Sequence, residues 1–176
     1  MGAIGMQDER IALEVNLLLH ALDEGYDKEA WHGPNLRESL RGVNARQASW
    51  RPAPGQTNIW EYVVHAAYWK YRVLHWITDG ERSGFPREGE NWFVRPAEGM
   101  SDRVAAREWK NDIALLDEIH TQLRDAIAHM TPESLQKSIP GDRTIGGLIS
   151  GIALHDVYHA GQVQTLKQLY KKNRAV

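Results

Sequence analysis

Hydrophobic positions recur at helical spacing in four stretches of this chain. From Asp8 to about Glu24, Ile11, Val15, Leu18 and Leu22 fall on one side of a helix, three or four residues apart as a 3.6-residue turn requires. Asp8 and Glu9 suit its positive end, and Gly25 is expected to stop it. Asn58-Ile59-Trp60-Glu61 reads as a capping box, an Asn before the first turn and a Glu three residues on, so a second helix is predicted from about Ile59 to Thr78, ended by Asp79-Gly80. Ser101-Asp102 opens a third, carried by Trp109, Ile113, Leu116, Ile119, Leu123 and Ile127 to His129 and closed by Met130-Thr131-Pro132. Thr144 is a good cap for the last, which runs to about Lys171.

The intervening sections lack such a period. Trp31 to Pro54 is a long connection holding a short helix from Asn35 to about Arg41, and Pro52, Pro54 and Gly55 forbid a helix through its end. Glu81 to Gly99, broken by Pro86 and Pro96, is an irregular excursion of a length that often has a function. No stretch alternates convincingly as a strand would. The pattern predicts an all-α four-helix bundle, one domain over residues 1–176, whose long connections leave room for a crossover.

Composition narrows the function. A chain of 176 residues, 42% hydrophobic and 25% charged, can bury a core without staples. A formal net charge of −2 offers no electrostatic footprint for nucleic acid. With no cysteine, any metal must be held by nitrogen and oxygen, and the absence of disulfides fits the cytoplasm. No stretch approaches a membrane span, and the opening MGAIGMQDER lacks the basic-then-apolar order of a secretion leader.

Candidate chemistry comes from three histidines. In the last helix the inward stripe reads Leu148, Ile152, His155, His159, Gln162, Leu166, Leu169. Two imidazoles one turn apart in an apolar wall must each find partners for two ring nitrogens away from water, and a shared divalent ion meets that demand. His65 on the second helix is able to supply a third ligand, leaving open positions of the kind catalytic sites keep. Glu61, Tyr62, Trp69, Arg72 and Trp76 share its face, an aromatic surface with polar tips suggesting a wet cavity. Glu61 is explained first by its cap and only then as a site carboxylate. Gln162 is placed to orient a water or hold a His, Trp69 to meet substrate, and His32 either to line an entrance or to cap the short helix after it. His155-Asp156-Val157-Tyr158-His159 is similar to the zinc-protease helix signature but has Asp in place of the general-base Glu, so Asp156 is expected to support a ligand or face solvent.

Trp31-His32-Gly33-Pro34-Asn35-Leu36, Ile59-Trp60-Glu61 through His65 and Trp69, and His155-Asp156-Val157-Tyr158-His159-Ala160-Gly161-Gln162 together resemble the DinB-like (YfiT-like) metal-dependent hydrolases. That resemblance implies a four-helix bundle with a long crossover, a divalent metal (zinc or nickel) on His65, His155 and His159, and a homodimer. Some relatives look like S-transferases that use a low-molecular-weight thiol. Three readings stay open: an enzyme activating water or a thiol against a small molecule, a non-catalytic binding module in which the ion is structural, and a bundle whose histidines pair only with protein groups or water.

Overall fold

The computed structural model describes the backbone of residues 2–78 and 84–174, with side chains in the first helix from Leu13 onward. Asp8, Glu9, Ile11, Asp79 and Gly80, named above for the first helix and the end of the second, lie outside the side chains or residues so described. The four long helices are α1 (Gly2–Tyr26), α4 (Ile59–Ile77), α5 (Asp102–Ala128) and α7 (Ile145–Asn173). Between them lie single-turn helices α2 (Leu36–Ser39), α3 (Ala45–Ala48) and α6 (Pro132–Leu135), and a two-stranded antiparallel ribbon of β1 (Ser138–Ile139) and β2 (Arg143–Thr144). Strands of two residues are too short to show an alternating pattern, which is why none was legible.

The expected caps form. Asn58 accepts from the Glu61 N–H while the Glu61 carboxylate takes the Asn58 N–H, and Thr144 accepts from Gly147. Asn35 caps α2 in the same way, and Asn44 caps α3, which the sequence reading missed. Gly25 does not stop α1. The helix ends one residue later, at Tyr26, and a Cβ built at Gly25 would lie 2.8 Å from the carbonyl oxygen of Ala153. Its value is the missing side chain, which lets α1 approach the backbone of α7.

α4 packs against α5 and α7, and α1 packs against α5 and α7, so α1 and α4 stand on one diagonal. The connection from α1 to α4 is therefore a crossover, whereas the long section after α4 joins neighbours and owes its length to something else. Buried apolar residues form two clusters, one around Trp60, Val64 and Leu116 and one around Leu22, Leu123 and Ile149. Ile113 is only half-buried and Leu169 is exposed, fraying the expected stripes near their edges.

Where the four helices meet, the core is polar. Lys70 of α4 and Asp156 of α7, both fully buried, form an ion pair. Lys70 Nζ also donates to His120 Nδ1 of α5 at 3.2 Å and lies 4.8 Å above the Tyr26 ring of α1, which stacks on His120 at 3.7 Å. Each long helix contributes one member. No described helix is long and apolar enough to cross a membrane.

Candidate metal centre

α4 and α7 carry the three candidate imidazoles to a common point. His155 and His159 sit one turn apart on α7, and His65 faces them from α4. His155 Nε2 lies 3.2 Å from His65 Nε2 and 3.0 Å from His159 Nε2, and one ligand nitrogen from each ring falls within 4.8 Å of the others. His65 and His159 are buried and His155 is half-buried.

The outer nitrogens are held by acceptors. His65 Nδ1–H donates to the Asn91 carbonyl at 2.7 Å, and His159 Nδ1–H donates to Gln162 Oε1 at 2.6 Å. Since those acceptors require N–H on the Nδ1 side, both rings present Nε2 lone pairs inward. His155 Nδ1 is buried with no hydrogen-bond partner. Burial lowers all three imidazole pKa values. His155 is pushed down to about 3, with the neighbouring histidines and Lys70 adding to the effect, and His159 to about 4 against the Gln162 hydrogen bond, which raises it. His65 is lowered by burial and partly restored by Asn91. All three are therefore neutral at pH 7, the form in which imidazole can ligate. Three convergent, neutral nitrogens are compatible with holding a metal ion.

The excursion after α4 covers this cluster. Asn91, in the left-handed region at φ 63°, turns its carbonyl to His65 and accepts from Trp69 Nε1 on its side chain at 2.9 Å. Trp92 stacks on His65 with ring centres 4.0 Å apart. The segment is pinned from behind by Asp112 of α5, which receives Arg87 at 2.6 Å, Arg95 at 3.0 Å and Trp60 at 2.7 Å. Neither Asn91 nor Trp92 was legible in advance, because an irregular loop has no period to mark which residues face inward.

Other expected positions separate. Trp69 borders both the cluster and a cavity of about 650 Å³ that reaches His65 and His155. Glu61 serves its cap and pairs with Arg51, so both carboxylate oxygens are engaged away from the imidazoles. Arg72 does not line that cavity; it donates to the Tyr68 hydroxyl and lies over Trp76. His32 is exposed in the turn before α2, and no described hydrogen bond links it to the cluster. Asp156 neither faces solvent nor reaches the cluster; its partner is Lys70, which removes the protease reading of that helix. Of the remaining histidines, His120 is core, His75 is half-buried and His20 and His129 are exposed.

A four-helix bundle with two histidines on its last helix and one on an inner partner defines a class of small all-α proteins. Residues 29–163 match the DinB superfamily, and the chain belongs to it. The match spans all three imidazoles and leaves the whole of α1 and the end of α7 outside. No curated protein and no solved structure matches the chain.

Proposed function

We propose that His65, His155 and His159 hold a divalent metal ion, and that the protein is a metal-dependent enzyme acting on a small molecule. The observation that carries this reading is the convergence of the three Nε2 atoms. His65 and His159 direct lone pairs at a third nitrogen that carries at most one proton, so protein hydrogen bonding serves the trio poorly. A cation at their centre serves all of them. Imidazole–metal bonds of about 2.0–2.1 Å put neighbouring ligand nitrogens about 2.9 to 3.4 Å apart, from octahedral to tetrahedral angles, and the observed 3.0 and 3.2 Å lie in that range. Nitrogen-only ligation suits zinc or nickel.

The cavity favours catalysis over a purely structural ion, since it brings a small molecule against His65 and His155. A divalent ion there supplies Lewis acidity toward water, a low-molecular-weight thiol or a carbonyl. The chain's own contribution is orientation: Asn91 and Gln162 fix the imidazole tautomers, Trp92 shields one side of His65, and Trp69 forms a wall for the substrate. Hydrolysis and thiol transfer are the two reaction types this supports. We place the protein in the cytoplasm on its lack of cysteine, and as a homodimer because the adjacent α1 and α7 both carry exposed apolar side chains, Leu13 and Leu17 on one, Leu154 and Tyr158 on the other.

Metal analysis of the purified protein beside His65→Ala, His155→Ala and His159→Ala tests the site. The wild type is expected to retain close to one equivalent of zinc or nickel and each variant to lose it, with helical circular dichroism preserved. Equal trace metal in all four would refute the site. Chelation should then abolish turnover in a screen of ester, amide and thiol-acceptor substrates with little change in fold; a sharp fall in melting temperature without any activity to lose would mark the ion as structural.

A further inference from the structure

We infer that the cavity beside the imidazoles takes an elongated small molecule with an apolar body and a carboxylate at its far end, and that Arg143 receives that carboxylate. This names the substrate class of the site proposed above and rests on that reading for which end reacts.

The cavity, about 650 Å³, is of a size that encloses a typical small ligand. Trp69 and Trp76 of α4 form one wall, and Leu148 and Ile152 of α7 another. Between them α7 presents Gly147 and Gly151, both exposed. A Cβ added at Gly151 would meet nothing within 4 Å, so no close packing demands a glycine there. Two helical glycines one turn apart cost helix stability. Here they leave a trough in which a ligand can lie along the helix.

Charge marks the far end. Among the described residues the lining contains no carboxylate, its one permanent cation is Arg143, and Arg143 forms no ion pair. Its backbone is set by the β1–β2 ribbon and by Thr144, which caps α7 immediately after it. From Arg143 to His155 along α7 the rise is roughly 15–18 Å at 1.5 Å per residue, and the long Arg side chain spans part of that length. A planar guanidinium pairs with a carboxylate through two parallel hydrogen bonds, which fixes the orientation of a ligand whose other end lies at the imidazoles.

The test is a titration of the full protein, as purified and after chelation, with phenylbutyrate and with the neutral phenylbutyramide, followed by the intrinsic tryptophan fluorescence, to which Trp69 and Trp76 in the cavity wall contribute. The acid is expected to bind about fivefold more tightly than the amide, a contact to a partly exposed charge being worth that order. Arg143→Gln should remove most of the preference, weakening the acid far more than the amide, Arg143→Lys should keep part of it, and Gly151→Leu should weaken both ligands by filling the trough. Equal affinity for acid and amide in the wild type would overturn the inference. So would a preference that survives Arg143→Gln and vanishes on chelation, because the carboxylate would then sit on the ion. A preference that needs Arg143 in a protein found to hold no metal would uphold the anion end and defeat the metal reading alone.

Discussion

Lys70 shows how a single side chain can hold the bundle together from its centre. Its ammonium is fully buried and meets the Asp156 carboxylate, the His120 ring nitrogen and the Tyr26 face. Burial holds the Asp156 carboxyl up at about 6 even against Lys70, whose charge and hydrogen bond pull it down. Removing one partner of such a pair strands the other charge. Lys70→Met is therefore expected to destabilise the protein by about 3–5 kcal/mol, and adding Asp156→Leu should recover most of the loss, both measured by denaturant unfolding. If the single variant unfolds at the wild-type midpoint, the pair has no such role. Asp156 directly follows His155 on α7, so the same contact also sets the rotation of the helix that presents the imidazoles.

At the scale of elements, the contact between α1 and α7 depends on the absence of a side chain. Gly25 lies inside α1, where glycine costs about 1 kcal/mol relative to alanine, yet a methyl group there would press to 2.8 Å from a backbone oxygen of α7. Backbone cannot swing aside as a flexible side chain would. Gly25→Ala is thus expected to lower stability by about 1–3 kcal/mol despite its better helix propensity, read from the thermal or denaturant midpoint. A neutral or stabilising result would mean that the helices separate freely. The excursion after α4 works in the opposite sense: its described residues have almost no regular structure and are held by Asp112, which accepts from Arg87 and Arg95, by Glu61, which accepts from the Arg95 N–H, and by Asn58, whose side-chain amide donates to the Arg95 carbonyl. Those anchors are what keep Asn91 and Trp92 over His65.

For the molecule as a whole, buried neutral imidazoles make stability depend on pH. An ordinary His takes a proton below about pH 6.5 in the unfolded chain, whereas burial and the neighbouring Lys70 hold His120 down at about 2 in the fold. Below about pH 6.5 the unfolded state therefore binds the extra proton, so stability is present in full above that pH and falls as the pH drops. His155 and His159 act with the same sign. Between about pH 7.5 and about pH 5.5, His120→Gln should lose on the order of 1 kcal/mol less stability than the wild type, measured by denaturant unfolding at both pH values. An identical loss in the two proteins would show that His120 takes up its proton in the fold as readily as in the unfolded chain.

The four long helices, the Asn58 and Thr144 caps and the inward phase of His65, His155 and His159 could all be read from the chain, because helical periodicity and capping chemistry act between residues a few positions apart. That locality also explains the errors: Gly25 looks like a stop until α7 is laid against it, and Glu61 looks available to the site until Arg51 takes its carboxylate. Asn91, Trp92 and the Lys70–Asp156 pair emerge when segments distant along the chain are folded together. Nothing in the short-range pattern marks which loop residue will face an imidazole, or which lysine will find a carboxylate on another helix. Packing brings those partners within hydrogen-bonding reach, and it is packing that turns three well-phased histidines into one cluster beside a cavity.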